Sequence, residues 1–344
     1  MASAEVGDRF LRANLLGKAP CFCRALDRLV RFSKCDAPVH IVGETGTGKE
    51  LAARAVHYLS ARRDHAFIPV NCASLPDGLI ESELFGHARG AFTDARRAHR
   101  GLVQQAEGGT LFLDEVEALA PHAQASLLRF LQDSSYRSVG SEECHVADVR
   151  VISASNLDLL IQAKAGVFRG DLLYRLDVLK VELPPLRKRP EDIGLLALHL
   201  QHKAARVTNG RHLPKSLSDE ALAAMRAFEW PGNVRQLEHT LLRVHLLCEA
   251  DIITLDDLLA CAPELSAGLT IVNANGDSHS DADRDTPANP SLRAAKQFAV
   301  DRVERQYVVG VLSHAMGNIS EAARLCGMQR ASFSKLVKKH RVAH

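Results

Sequence analysis

The sequence predicts an α/β domain on a parallel sheet, then an all-helical subdomain, then a small all-α module at the C-terminal end. Three observations carry that prediction. Short apolar, largely β-branched runs alternate with segments of helix length and periodicity, as they do when parallel strands are joined by helical crossovers. Beyond Pro190 such runs stop and helical periodicity takes over. Residues 267–290 hold few large apolar side chains and many Asp, Asn, Ser and Pro, too little to bury a core, and read as a linker.

Each element follows from local pattern. Runs 39–42 (VHIV), 67–70 (FIPV), 111–113 (LFL) and 149–154 (VRVISA) have the length and composition of buried strands. Helices are predicted over 193–200, 219–228, 234–247 and 255–259, the last behind a Thr254 N-cap. After the linker, Val303, Tyr307, Val308, Val311 and Leu312 share one helical face. Gly317-Asn318 then breaks the chain before Ser320, a suitable N-cap. A helix over 321–326 with Ala322, Ala323 and Leu325 follows, Gly327 turns, and a helix over 330–340 places Phe333, Leu336 and Val337 inward. Arg330, Ser332, Ser334, Lys335, Lys338 and Lys339 are the expected outward, DNA-facing set of this helix-turn-helix pattern.

Length and composition bound the reading. A chain of 344 residues has room for two or three domains, and 46% apolar with 24% charged residues excludes wholesale disorder and collagen-like repeats. Glu5, Asp8 and Arg9 interrupt the place where a secretory signal needs an apolar run, and no membrane-length apolar stretch appears, so a cytoplasmic protein is expected. Eight cysteines without a Cys-x-x-Cys pair fit reduced thiols; Cys21-x-Cys23 with Cys35 could bind a metal, but zinc pairs usually have at least two residues between them, and small buried hydrophobes account for these cysteines. The net charge of +2 hides a split, since ten Lys and Arg face three Asp and Glu from Ser291 onward. A basic tail on a mildly acidic body suggests nucleic acid at the C-terminal end.

The chemistry is concentrated at two strand ends. Strand 39–42 runs into Gly43, Glu44, Thr45, Gly46, Thr47, Gly48, Lys49 and Glu50, and a helix with Leu51, Ala52, Ala55, Val56 and Leu59 on one face follows. Glycines let successive N–H groups converge on phosphate, the helix terminus adds partial positive charge, and Lys49 reaches the β- and γ-phosphates. Glu50 stands where such loops usually place a Ser or Thr ligand to Mg²⁺. Downstream, strand 111–113 delivers Asp114 and Glu115 to the same edge of a parallel sheet. Asp114 is the expected Mg²⁺ ligand, directly or through water, and Glu115 the group that orients and deprotonates a hydrolytic water.

These residues resemble the AAA+ domains of bacterial enhancer-binding proteins, the activators of sigma-54 RNA polymerase. The likeness covers roughly residues 14–259 and takes in GETGTGKE, FIPVNCASL, ELFGHARGAFTDA, GGTLFLDEVE, DVRVISASN, FRGDLLYRLDVLKVELPPLRKRPEDI and WPGNVRQLEH in order. The resemblance implies ATP with Mg²⁺, Asn71 as a switch residue holding Glu115, and Asn156 as the sensor of the γ-phosphate. It implies that Arg169 and Arg175 act on a neighbouring subunit's phosphate, and that Arg235 is the sensor arginine of the lid. An arginine finger is worth about 10³–10⁵ in rate, so a lone subunit is expected to be nearly inactive and a ring, usually a hexamer, is implied.

Residues 83–95 read as a protruding loop whose Phe92 and Thr93 match the family's contact with sigma-54, while Asp94 stands where the family has glycine. GNISEAARLCGMQRASFSKLVKKH, residues 317–340, resembles the Fis-type domain that holds such activators on enhancer DNA, with Phe333-Ser334 in place of the frequent Leu-Tyr. Expected boundaries are 1–13 for a leader, 14–189 for the α/β ATPase, 190–262 for the helical lid, 263–290 for the linker and 291–344 for the DNA-binding domain. With no receiver or sensing domain ahead of residue 14, control by a regulatory protein in trans or by expression level is expected. Two alternatives stay open: a nucleotide-binding, DNA-bound regulator working with sigma-70 polymerase without remodelling, and an AAA+ machine of replication or protein unfolding.

Overall fold

A computed structural model describes residues 15–266, apart from 77, 93, 94, 96 and 208–212, together with 308, 311, 315, 318–328 and 330–339. The chain divides into two units, residues 1–277 and 278–344. In the first, α1 (Pro20–Phe32) leads to β1 (Val39–Val42), α2 (Lys49–Tyr58), β2 (Phe67–Asn71), α3 (Ile80–Phe85), α4 (Leu102–Gln105) and β3 (Thr110–Asp114). Then come α5 (Pro121–Asp133), the antiparallel pair β4 (Ser135–Arg137) and β5 (Cys144–Val146), β6 (Arg150–Ser155), α6 (Leu159–Lys164), α7 (Gly170–Leu176) and β7 (Leu179–Glu182).

Five parallel strands form one sheet in the order β2-β3-β6-β1-β7. Leu111 and Leu113 pack on one side with Phe85, Leu127 and Leu172, while Phe112 packs on the other with Ile41, Val56 and Leu29. Both faces are covered, so the strands read as continuous apolar runs. All four expected strands form within one residue of their expected ends. Strand β7 was not expected: in LKVE only Val181 is fully buried, as suits an edge, and four residues are too few to show alternation.

The lid comprises α8 (Ile193–Val207), β8 (Ser216–Leu217), α9 (Asp219–Ala227), α10 (Asn233–Leu247), β9 (Ile252–Ile253) and α11 (Leu255–Cys261), around a fully buried Trp230. Thr254 and Asp257 form a capping box at α11, as the Thr254 cap predicted. Two corrections apply here. Strands do not stop at Pro190, because β8 and β9 pair in parallel over two residues. Nor does the linker begin at 263: Ala262 and Leu265 are buried in the lid core, which Leu16 and Leu186 also join. Residues 267–290 lie outside the described residues.

In the second unit α12 (Ile319–Leu325) and α13 (Arg330–Lys339) bury Ala322, Ala323, Phe333 and Val337 with Val308 and Ala315. Asn318, not Ser320, caps α12: its Oδ1 accepts the Ser320 and Glu321 N–H groups at 3.0 and 3.3 Å. Leu325 is 58% exposed, and Ser334, expected outward, is half-buried. Arg330, Ser332, Lys335 and Lys339 are exposed on α13. Val303, Tyr307, Leu312 and the side chains of Leu336 and Lys338 lie outside the described residues. Among the described residues no helix is long and apolar enough to cross a membrane.

Candidate nucleotide site

Parallel strands deliver their C-terminal ends to one edge, and a cleft of about 320 Å³ opens there between sheet and lid. The glycine loop forms its floor. Gly48 takes φ +101° at the N-cap of α2 and Gly46 takes φ +80°, a left-handed backbone that glycine adopts without a Cβ clash. Thr47 is buried, its Oγ1 donating to the Glu44 carbonyl at 2.7 Å. Lys49 is buried too, and its ammonium donates to the carbonyls of Gly43 and Glu44 at 2.8 and 3.3 Å and to Asn156 Oδ1 at 2.5 Å. Burial pushes the Lys49 pKa down, opposed by Asp114, Glu117 and Glu115.

Asp114 and Asn71 end neighbouring strands in register. The Asp114 carboxylate accepts the Glu115 N–H at 3.0 Å, and burial raises its pKa against the opposing pull of Lys49. Glu115 stands at φ +53°, a left-handed conformation that costs a non-glycine residue of order 1–3 kcal/mol and clusters at functional sites. Asn156 joins the parts: its Oδ1 accepts from Lys49 and, at 3.2 Å, from Thr45 Oγ1, while its Nδ2 donates to Glu115 Oε1 at 3.3 Å.

The expected hold of Asn71 on Glu115 is not what this structure shows. Asn71 Oδ1 accepts the Ala73 and Ser74 N–H groups at 2.9 and 3.1 Å, satisfying the open donors of a short 3-10 turn, and Glu115 meets Asn156 instead. Glu50 pairs with Arg54 along α2 at 2.8 Å. Asp114 offers the hard carboxylate oxygen that Mg²⁺ takes together with substrate phosphates, so the donor set suits that ion.

Sequence reasoning missed how the lid grips the glycine loop. Glu44, expected among the phosphate-cradling residues, spends its carboxylate on a two-point ion pair with Arg187, Oε1 to Nη2 at 2.5 Å and Oε2 to Nη1 at 2.7 Å. That pairing holds the Glu44 pKa down to about 2. Asn233 is buried at φ +51° and donates to Glu44 Oε2 at 3.2 Å and to the Thr45 carbonyl at 3.1 Å. The Val234 N–H reaches the Gly46 carbonyl at 3.0 Å. Asn in WPGNV tolerates a left-handed backbone, which was the available signal. Arg235 lines the cleft, and Leu15, Leu16, Phe22 and Leu196 give it an apolar end suited to a base.

Arg169 and Arg175 do not reach this cleft. Arg169 precedes α7, pairs with Asp171 through both its Nε and Nη2 at 3.1 and 2.8 Å, and Arg175 is exposed. The expected loop starts later than residue 83, because Glu83–Phe85 complete α3 and Leu84 and Phe85 are buried in the core; the remaining 86–95 segment is stapled at its base, with His87 and His99 exchanging two backbone bonds and Ala88 donating to the Val139 carbonyl at 3.0 Å. Phe92, 37% exposed, leans on the His87 ring with centroids 4.9 Å apart. Thr93 and Asp94 lie outside the described residues.

Many nucleotide enzymes close a glycine loop on a lysine; a helical lid seated directly on that loop narrows the class to AAA+ P-loop NTPases. Family models agree: a sigma-54 interaction domain matches residues 15–182 and an AAA+ ATPase lid domain residues 187–266. The chain is 39% identical to the phenol regulator MopR of Acinetobacter guillouiae, over 97% of this chain and 58% of that protein. It is 38% identical to the transcriptional regulatory protein GlrR of Escherichia coli, over 98% of this chain and 70% of that one. A crystal structure of NtrX from Brucella abortus in complex with ATP superposes with a TM-score of 0.66 at 31% identity, over 95% of this chain and 70% of that chain. With MopR it shares only 58% of the relative's length, and with the Nif-specific regulatory protein of Azotobacter vinelandii 52%. The chain belongs to the family of sigma-54-dependent transcriptional activators.

Proposed function

We propose that this protein is a DNA-bound, ATP-hydrolysing transcriptional activator that works in the cytoplasm as a hexameric ring and remodels the closed complex of sigma-54 RNA polymerase. The observation that carries the reading is the Asn156 amide, which touches Lys49, Thr45 and Glu115 at once. A residue that feels the phosphate-binding lysine and the carboxylate meant for water can couple phosphate occupancy to chemistry. NtrX, solved with ATP, supports the choice of nucleotide.

In this mechanism the glycine loop and Lys49 hold the phosphates, and the apolar end of the cleft holds the base. Asp114 is the residue to hold Mg²⁺, which neutralises phosphoryl charge when bound. Glu115 orients the attacking water and takes its proton. Arg235 meets phosphate from the lid, and Arg169 and Arg175, remote from the cleft of their own chain, serve a neighbour's. Movement of the 86–95 loop brings Phe92 and Thr93 against sigma-54. Residues 291–344 form the Fis-type domain, binding enhancer DNA through Arg330, Ser332, Lys335, Lys338 and Lys339, with the half-buried Ser334 closer to the core.

Promoter opening on a supercoiled template tests the reading. Open complexes that require this protein, hydrolysable ATP and sigma-54 polymerase are expected. ATP-independent regulation of sigma-70 polymerase would overturn it.

A further inference from the structure

The geometry points to Glu117 as a positioning residue that readies Asn156 for hydrolysis. This rests on the ATPase reading above. The 3-10 turn Val116–Ala118 brings Glu117 beneath the end of β6, where its Oε1 accepts the Asn156 backbone N–H at 2.8 Å. Its Oε2 is buried with no hydrogen-bond partner among the described residues. A carboxylate held with one orphan oxygen carries a desolvation cost that an apolar side chain of similar volume would avoid, so packing alone is a poor account of it.

What the carboxylate supplies is a partner at the place where the sheet stops. The β3–β6 pairing ends at Leu113 and Ser153, and the β1–β6 pairing at Val42 and Ser155. Asn156 therefore lies one residue past the last rung, and Glu117 takes over the anchoring of its N–H. Three contacts depend on that anchor, because one short side chain has to meet Lys49, Thr45 and Glu115 together. Among the described residues Asn156 is the hydrogen-bond partner of the Glu115 carboxylate, so a shift of its backbone also releases the group that is to activate water. Binding of the base and of the α- and β-phosphates involves other groups. The effect of losing Glu117 should therefore fall on turnover.

The test uses the full chain with Mg²⁺ and ATP, comparing wild type, Glu117→Ala, Glu117→Gln and Glu115→Gln for kcat and KM, with affinities for fluorescent ATP and ADP analogues. Glu117→Ala is expected to lower kcat about ten- to a hundredfold while KM and ADP affinity stay within about threefold, as for a misplacement of about 1 Å. Glu117→Gln keeps the acceptor oxygen and should remain within about fivefold of wild type. The proposal is overturned if Glu117→Ala turns over normally. It is equally overturned if both variants fall alike, which makes charge the requirement, or if Glu117→Ala loses ADP affinity and thermal stability in step with kcat, which makes the role structural. Wild type no faster than Glu115→Gln would sink the ATPase reading instead. The Glu117 proposal is then decided by the ratio of ATP to ADP affinity, which Glu117→Ala must lower and Glu117→Gln must preserve.

Discussion

Replacing Gly46 by alanine asks whether the lid really rests on the glycine loop. A Cβ at Gly46 would stand 2.3 Å from the Gly232 carbonyl oxygen and 3.0 Å from Arg235 Cβ, at a backbone φ of +80°. The left-handed conformation costs an alanine about 1–2 kcal/mol. The overlap falls on lid backbone, which cannot rotate away, and adds about 1–3 kcal/mol. Gly166 is the control: its φ is +75°, and no described residue lies within 4 Å of the place an alanine methyl would take there, so only the first cost applies. In a unit of this size 1 kcal/mol shifts Tm by roughly 2–4 °C. Thermal unfolding of the nucleotide-free chain should therefore show Gly46→Ala lower by about 4–20 °C and Gly166→Ala by about 2–8 °C. Equal shifts would mean that the Gly46–Gly232 contact carries nothing and that the lid does not rest on the glycine loop.

The Glu44–Arg187 pair gives a second prediction. Both partners are about 40% exposed, so the pair is worth nearer 1 kcal/mol than its pKa shift suggests. Since the Glu44 pKa is depressed to about 2, the stabilisation is complete above about pH 4.5 and fades as pH falls toward 2. The Tm gap between wild type and Arg187→Ala should be largest near neutrality, shrink below about pH 4.5, and narrow in high salt. Lys49→Ala removes the charge at the phosphate end and is expected to weaken nucleotide binding by at least tenfold in a fluorescent-ATP titration, leaving the fold intact by circular dichroism. Replacing Lys335 and Lys339 by alanine should weaken DNA binding across sequences and lower the slope of log affinity against log salt by about 2.

Strand patterning and motif spacing made the sheet, the glycine loop, Lys49, Asp114 and Glu115 legible in the sequence. What escaped were features set by tertiary contact. Strand β7 is short and half exposed, and gains its identity from pairing with β1. Glu44 looks like a phosphate-loop residue until the lid supplies Arg187 and Asn233 across 143 and 189 residues of sequence. Asn71 and Asn156 are both polar strand ends, and sequence offers no means to tell which one reaches Glu115. The answer lies in a local 3-10 turn that occupies Asn71. Ser320 and Asn318 both cap helices well, and the difference between them was two residues of register.

In the proposed function the cleft between sheet and lid hydrolyses ATP with help from a neighbouring subunit. The most direct measurement is the rate of phosphate release per subunit from Mg²⁺-ATP as a function of protein concentration. The specific rate is expected to climb with concentration to a plateau and to be abolished by Glu115→Gln. Arg175→Ala is expected to lower the plateau at least a hundredfold. A specific rate that stays flat with concentration and is indifferent to Arg175, or no phosphate release at any concentration, would contradict the proposed function.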